Sequence, residues 1–319
     1  GTNNLNSTSL EKVGKIQNQG IELEINSVNI DAGGFRWTTG LNFTTNQNEA
    51  LELYPGFDGD PLQLSFNGLT TVQVGEPLGT FFLPEFAGYD ESGNVLVQEV
   101  DQDILEADGS YVFTGNTVRN TGNSDNQNSV IQYGKTGLPT FYGGLDNTFT
   151  YRGLSLNILF TFQGGHYIYD DIGLRRAGLG QRNLRADVVG NTWTPDNPNA
   201  DYPVLTWNNR ENNPVDPDQP AQNLSDRSTQ WLERGDFVRL RTINLSYNLP
   251  QKIFEKNFLK GARLFINLNN VATFSRFDAV DPETLIGSNA QERNIGQGVV
   301  RGVPFWQVFT ASGGVNIKL

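Results

Sequence analysis

The last eleven residues of the chain alternate strictly between two kinds of side chain. The odd positions from Phe309 to Leu319 are apolar or small, and the even positions between them are polar or glycine. Because successive side chains of a β-strand point to opposite faces of its sheet, a period of two predicts a strand with one apolar and one polar face. A sheet of such strands suits a boundary between two different environments.

The same alternation recurs in earlier parts of the chain. In "FRWTTGLNFTTN", for example, the large apolar residues all fall on odd positions between Phe35 and Phe43. A change of parity near Thr242 predicts a β-bulge. The seven predicted strands span about 20–30, 35–48, 140–151, 153–166, 231–249, 261–274 and 307–319.

Two further segments bear on the number of strands. The stretches near 70–84 and 94–100 are separated by the turn sequence "YDESGN", and they would raise the count from seven to nine if they joined the same sheet. The count is odd in either case. Bacterial single-chain barrels have even strand numbers, so we expect further strands on preceding sequence, either on a separate chain or on an omitted part of the same gene.

The connections between the predicted strands alternate in length. They are short after 30, 151 and 249 and long across 49–139, 167–230 and 275–306. Transmembrane barrels have tight turns on one side and long extracellular loops on the other, and a tilted strand of about 9 to 11 residues crosses the bilayer. The pattern therefore predicts an all-β fold, an antiparallel transmembrane β-barrel wall of about seven to nine strands.

Composition excludes several other classes of protein. The formal net charge of −12 disfavours nucleic acid as a partner. With no cysteine and with one histidine, His166, the chain cannot form a thiolate or multi-histidine metal site. It contains no apolar run long enough for a transmembrane helix, a finding that leaves a β-barrel open because barrel strands alternate.

Several stretches together resemble a known family in their order and spacing as well as their wording. They are "NQGIELEINSVNI", "FRWTTGLNFTTNQN", "VGEPLGTFFLPEFAGYDESGNVL", "LPTFYGGLDNTFTYRGLSLNILFTFQGG", "STQWLERGDFVRLRTINLSYNLP" and "LFINLNNVATFSRFDAVDPE". In these stretches the chain resembles the C-terminal part of SusC/RagA-type TonB-linked outer-membrane transporters of Bacteroidetes-type bacteria. The resemblance covers nearly the whole chain.

The resemblance implies a fold, a location and a set of partners. The fold is a barrel of roughly 22 strands in the bacterial outer membrane. The implied partners are outer-membrane lipid, the preceding N-terminal part of the barrel with its plug, a SusD-like surface lipoprotein, and the TonB complex through that N-terminal part. The implied function is import of glycan fragments or peptides, with no enzymatic activity. Residues 1–19 would then be an extracellular loop segment, and 20–319 the barrel part with its long loops.

Three groups of residues are candidates for functional roles. Aromatic side chains in the long loop 167–230 are typical of platforms for sugar rings or peptide side chains. A run of carboxylates in "DQDILEADGS" could hold calcium, although its spacing fits no EF-hand, and no other cofactor is expected. Arginines at polar strand positions should face the barrel lumen. These candidates are Trp193, Tyr202 and Trp207 for the solute, Asp101, Asp103, Glu106 and Asp108 for calcium, and Arg239, Arg241 and Arg263 for the lumen.

Two alternative functions stay open from the residues alone. One is a stand-alone outer-membrane barrel with an adhesive or structural role, which the chain length allows. The other is a soluble carbohydrate-active β-sandwich, because paired carboxylates are plentiful and glycosidases need two. A sandwich rarely has strands this long or loops lengthened at one end only, so the importer is the better reading. Catalysis through His166 is not expected, because the sequence has no nucleophile elbow.

Overall fold

The computed structural model describes residues 14–53, 69–120, 127–176, 184, 186–205, 227–254, 258–277, 279–283, 297–300 and 307–318. Its strands are β1 (Gly14–Gln19), β2 (Glu22–Ala32), β3 (Phe35–Thr45), β4 (Gln47–Leu53), β5 (Thr70–Thr71), β6 (Thr80–Pro84), β7 (Phe86–Tyr89), β8 (Val95–Val100), β9 (Phe113–Arg119), β10 (Ser129–Thr136), β11 (Phe141–Tyr151), β12 (Leu154–Gly164), β13 (Tyr167–Tyr169), β14 (Leu232–Arg234), β15 (Phe237–Asn248), β16 (Gly261–Ser275) and β17 (Thr310–Lys318). Its α-helices are α1 (Gln102–Asp108) and α2 (Asp171–Arg176). No helix among these residues is long and apolar enough to cross a membrane.

One large antiparallel sheet dominates the fold. Its strand order is β17–β16–β15–β12–β11–β3–β2, so strands that follow one another in this set also lie side by side. These are the seven strands that the alternation predicts, and they confirm the all-β fold class. We call them the main sheet.

The predicted bulge lies where the parity of the sequence changes. In the pairing of β12 with β15, Phe160 lies opposite Leu240 and Leu159 lies opposite Thr242, which leaves Arg241 of β15 without an opposite residue. On the other side of β15, the register of β16 shifts at the same place, and Asn270 of β16 has a positive φ of 51°. The extra residue restores the register, so that apolar side chains stay on one face along the whole of β15.

The two faces of the main sheet differ in polarity. One face carries the apolar parity, and its side chains are exposed along several strands, including Ile266 at 50% and Val315 at 55%. The opposite face carries Asn157, Asn244 and other polar residues that hydrogen-bond across strands. A monomeric soluble protein rarely exposes so large an apolar surface. An apolar face on one side and a polar face on the other are typical of a barrel wall.

Short and long connections lie at opposite ends of the main sheet, as the sequence predicts. The turn between β11 and β12 consists of Arg152 and Gly153, with φ values of 45° and 89°. The β2–β3 turn and the 249–260 connection lie at the same end. The long connections 46–140, 165–236 and 276–309 therefore all leave from the other end.

The structure adds detail at the first hairpin. Gly14–Gln19, within the predicted loop segment 1–19, forms β1 and pairs with β4, which continues the β2–β3 hairpin past the main sheet. The second predicted strand, 35–48, divides into β3 and β4 at Asn46, where the chain leaves the main sheet. The hairpin therefore extends well into the predicted loop region at this end.

The segments near 70–84 and 94–100 do not join the main sheet. β5 and β6 form a three-stranded sheet with β10, and β8 forms another with β7 and β9. The main sheet accordingly has seven strands among the described residues rather than nine. These short strands pair with one another because their buried side chains, such as Phe81 and Val97, pack inside the connections.

The three long connections share one hydrophobic core. This core joins residues from all three segments, so the connections pack into a folded layer at the end of the main sheet, which we call the loop layer. Its fully or almost fully buried members are Leu69, Phe81, Leu83, Tyr169, Leu174, Val188, Trp231 and Val299. A folded layer of this kind can hold binding residues in defined positions.

Candidate binding site in the loop layer

A cavity of about 1020 Å³ opens in the loop layer. It lies between β7, the segment 187–202 and the residues just before β14. Its aromatic lining residues are Phe86, Tyr89, Trp193, Tyr202 and Trp231, and its acidic ones include Asp90, Glu91, Asp187, Asp201 and Glu233. A concave surface with aromatic walls and a few polar groups is typical of a site for a small solute.

The turn after β7 is fixed by a single carboxylate. Asp90 Oδ1 accepts hydrogen bonds from the backbone N–H groups of Ser92 (2.8 Å) and Asn94 (2.9 Å). Burial raises the pKa of Asp90, but the hydrogen bonds from Asn94 and Ser92 and the charge of Arg119 outweigh it and hold the pKa below its usual range. The turn is therefore preorganised with an ionised carboxylate at the edge of the cavity.

Gly93 in this turn brings the first connection against the second. Its φ of 79° favours glycine, and an added Cβ would lie 2.5 Å from the Trp193 ring. The Val204 backbone N–H donates to the Gly93 carbonyl at 3.1 Å. The close approach explains why the turn needs glycine at this position.

The structure brings together two of the three aromatic residues predicted for the solute. The Trp193 backbone N–H donates to the Tyr202 carbonyl at 2.8 Å, and both side chains line the cavity. Tyr202 also donates from its hydroxyl to Asp187 Oδ2 and packs against the Trp231 ring, with centroids 5.9 Å apart. Both residues thus help to hold the loop layer together, and their contact with a solute stays a prediction. Trp207 lies outside the described residues.

Sequence reasoning did not find the other aromatic residues of the cavity. Phe86 and Tyr89 form an edge-to-face pair with centroids 5.4 Å apart. The Tyr89 hydroxyl donates to the Asp201 carbonyl at 3.0 Å and accepts from Gln230 Nε2 at 2.6 Å. A signal was present in the aromatic sequence "FAGY", but only the fold places it beside residues more than one hundred positions away.

The predicted carboxylate group for calcium lies on and beside helix α1. Asp101 caps this helix, since its Oδ1 accepts the backbone N–H of Ile104 at 3.1 Å, and Asp103 lies in the first turn. Glu106 and Asp108 belong to the same helix. In the part of the chain that the structure describes, no three His, Cys, Asp or Glu side chains are grouped as a metal site would require. Calcium binding here stays a prediction.

The predicted lumen arginines all belong to the main sheet, and two of them bind the third connection. Arg239 is 1% exposed, and its Nη2 donates to Asp281 Oδ1 at 2.5 Å. Arg241 Nη2 donates to Glu283 Oε1 at 2.5 Å. Burial raises the pKa of Asp281, but its hydrogen bond with Arg239 and two backbone hydrogen bonds outweigh burial and keep the pKa below its usual range. These two arginines attach the loop layer to the polar face.

Arg263 has a different environment. Its Nη2 donates to Ser246 Oγ at 2.9 Å on the neighbouring strand, and the residue is exposed on the polar face. Arg239 and Arg263 lie on the polar face of the main sheet, where their partners on neighbouring strands are also polar. The prediction that all three arginines face a barrel lumen stays a prediction.

His166 lies in the short segment between β12 and β13. It is fully buried and packs against Gly235, and its Nε2 is 3.4 Å from Gln163 Nε2. Burial lowers its pKa to about 4, so the ring is neutral near pH 7. The loop layer covers this side chain completely.

The chain has relatives among known proteins, although no family model matches it. It is 27% identical over 317 residues to TonB-dependent receptor P3 of Formosa agariphila, covering 98% of this chain and 30% of the relative. It is 27% identical to TonB-dependent receptor P26 of the same organism, covering 91% and 28%. TonB-dependent receptor SusC of Bacteroides thetaiotaomicron is 22% identical, with coverage of 90% and 26%. The chain thus spans about three tenths of the length of these relatives.

Solved structures share the fold. The RagAB peptide transporter superimposes with a TM-score of 0.69 at 23% identity, over 96% of this chain and 30% of that chain. The RagAB peptide importer in its closed-closed state gives a TM-score of 0.68 at the same identity and coverage. The resemblance inferred from the sequence is therefore confirmed. By sequence and by fold, the chain is similar to a part of the β-barrel of SusC/RagA-type TonB-dependent receptors.

Proposed function

We propose that the chain forms barrel wall and extracellular loops of an outer-membrane importer for glycan fragments or peptides. The observation that carries the proposal is the attachment of a folded loop layer, with a large cavity, to one end of a sheet whose apolar face is exposed. A sheet of that kind suits lipid, and the loop layer would stand outside the membrane. The relatives are named as receptors rather than enzymes, which supports a role without catalysis.

The proposed partners follow from the same assignment. They are a preceding N-terminal part of the barrel with a plug, a SusD-like surface lipoprotein over the loop layer, and the TonB complex, which would supply energy for uptake. RagAB is described as a peptide importer, and this favours peptides as one solute class to test.

The cavity could recognise either class of solute. Aromatic rings pack against the apolar faces of sugar rings and against apolar peptide side chains. The acidic groups at its edge could accept hydrogen bonds from sugar hydroxyls or from amide and ammonium groups. Since aromatic walls and carboxylates serve both classes, growth experiments must distinguish them.

We expect Tyr89→Ala in the complete receptor to slow solute-limited growth about three- to tenfold. Losing one aromatic contact costs roughly 0.5–1.5 kcal/mol, and the Tyr89 hydroxyl also holds Gln230 at the cavity wall. The measurement is the growth rate of cells that depend on the receptor, with a tryptic digest of casein or a mixture of malto-oligosaccharides as the limiting nutrient. Tyr133→Ala is the matched control, because Tyr133 is 65% exposed and lies outside the cavity.

The nutrient on which growth slows identifies the solute class. If deletion of the whole receptor gene left growth on both nutrients unchanged, import of these solutes would be excluded. Equal effects of Tyr89→Ala and Tyr133→Ala would remove the cavity from the proposal while leaving transport itself intact.

A further inference from the structure

Charge is distributed unevenly between the two ends of the main sheet. The three long connections, 46–140, 165–236 and 276–309, hold 29 Asp or Glu residues against 12 Lys or Arg residues. We call the other end, which carries the β2–β3 and β11–β12 turns and the 249–260 connection, the tight-turn end. There the stretches 29–37, 149–156, 246–264 and 315–319 hold seven Lys or Arg residues against two Asp or Glu residues. The tight-turn end is therefore basic in a chain whose net charge is −12.

Three of these cations are exposed and have no acidic partner. Arg152 lies in the β11–β12 turn, and Lys252 and Lys260 lie in the 249–260 connection. Among the residues that the structure describes, none of the three forms an ion pair with a carboxylate, whereas Arg36 at the same end pairs with Asp31 at 3.7 Å. We call Arg152, Lys252 and Lys260 the basic rim. Its positive charge is not neutralised within the described part of the chain.

The basic rim borders the last row of side chains on the apolar face. Across five strands this row consists of Tyr151, Leu154, Tyr247, Leu264 and Val315. The Arg152 guanidinium lies over the Tyr151 ring, 5.1 Å from its centroid. Lys260 has the same parity as Leu264 on β16, and its backbone N–H donates to the Lys318 carbonyl at 2.7 Å, so it continues the apolar face past the row. Tyrosines followed by long cationic side chains are typical of the boundary between lipid tails and headgroups.

The 249–260 connection exposes large apolar side chains beside its lysines. Ile253 is 54% exposed and Phe258 is 79% exposed. Water disfavours such exposure, but a segment that combines lysines with Phe and Ile side chains is suited to the membrane interface, where the apolar groups enter the lipid and the cations stay at the headgroups. This connection therefore has the chemistry of a segment that touches a lipid surface.

We propose that the basic rim binds the headgroups of anionic phospholipids in the leaflet at the tight-turn end. The lipid phosphate accepts hydrogen bonds from guanidinium and ammonium groups, and its negative charge complements the three unpaired cations. The acyl chains would contact the apolar row and Phe258. An acidic protein segment could also neutralise the rim, but it would not account for the exposed Ile253 and Phe258. The inference rests on the proposed function, which places the main sheet in a membrane.

Native mass spectrometry of the complete receptor in detergent tests this site. The purified receptor is titrated with dioleoyl-phosphatidylglycerol and, separately, with dioleoyl-phosphatidylcholine, which has the same acyl chains but no net charge. We expect phosphatidylglycerol to bind about tenfold more tightly, and Lys252→Gln combined with Lys260→Gln to reduce its affinity by about ten- to thirtyfold. Lys15→Gln combined with Lys135→Gln is the matched control, because it makes the same change of charge in β1 and β10, and it should keep the wild-type affinity.

Three results would overturn the site. They are equal wild-type affinity for the two lipids, full phosphatidylglycerol affinity in the rim variant, and an equal loss of affinity in the control variant. A further titration compares sodium phosphate with sodium chloride at the same ionic strength. Displacement of the bound lipid by phosphate alone would show that the rim takes a free anion, and it would overturn the lipid as its occupant.

The membrane location is tested separately from the lipid site. A lipid-phase maleimide should label Leu268→Cys in outer membranes that contain the complete receptor. Normal labelling without a preference for phosphatidylglycerol would defeat this inference alone. Absence of labelling would defeat both this inference and the proposed function.

Discussion

Asp281→Ala should destabilise the receptor by about 3–5 kcal/mol, because it leaves the Arg239 guanidinium buried without its partner. Both side chains are 1% exposed, and their ion pair joins the third long connection to the main sheet. Glu283 Oε2, 3.5 Å from Arg239 Nη1, is too distant to replace the lost hydrogen bonds fully. The measurement is the midpoint of denaturant-induced unfolding of the purified receptor in detergent, followed by circular dichroism.

Two variants sharpen this prediction. Arg263→Ala removes an exposed arginine with a single hydrogen bond to Ser246, so we expect a loss below about 1 kcal/mol. Replacing Arg239 and Asp281 together by leucine should restore part of the stability, because no uncompensated charge remains. If Asp281→Ala were no more harmful than Arg263→Ala, the buried pair would not hold the loop layer in place.

The second large effect is expected at the terminal strand. Val315 and Ile317 lie on the apolar face of β17 and are 55% and 59% exposed. An arginine on the lipid face costs about 2–4 kcal/mol at the membrane midplane and less toward the interfaces. We expect the double variant Val315→Arg and Ile317→Arg to be almost absent from the outer-membrane fraction, as measured by immunoblotting of separated membranes.

A control on the same strand separates position from charge. Ser312 lies on the polar face opposite Asn267, so Ser312→Arg should accumulate at close to the normal level. Normal accumulation of the double variant would show that the apolar face of β17 does not contact lipid and has no special role in assembly.

The main sheet was predictable because its signal is local. Each strand from β2 to β17 in this sheet repeats a period of two within about ten residues, and the turns and the bulge near Thr242 interrupt that period where the chain bends. The register follows from the same pattern, since a slip by one residue would move every apolar side chain to the wrong face.

The loop layer was not predictable in the same way, because its contacts join distant parts of the chain. Phe81 packs against Tyr169, and Gly93 against Trp193, across 88 and 100 positions. The strands of the loop layer within 70–100 are only two to six residues long, too short for a clear alternation of apolar and polar side chains. The sequence therefore left it open whether this segment joins the main sheet. The aromatic residues in the second connection predicted a binding surface from the sequence alone. Only the fold shows that Phe86 and Tyr89 line the same cavity.

The accessibility of neighbouring positions on β16 tests most directly whether the main sheet is a barrel wall with its apolar face toward lipid. Cysteine placed at Ile266 or Leu268 should react with a lipid-phase maleimide, and cysteine at Asn267 or Asn269 with a small water-soluble one, in outer membranes that contain the complete receptor. This alternation follows from the 50% exposure of Ile266 on the apolar face and from the polar pairing of Asn267 with Asn244 on the other. The reverse pattern, or equal reaction of all four cysteines with the water-soluble reagent, would contradict the barrel-wall account.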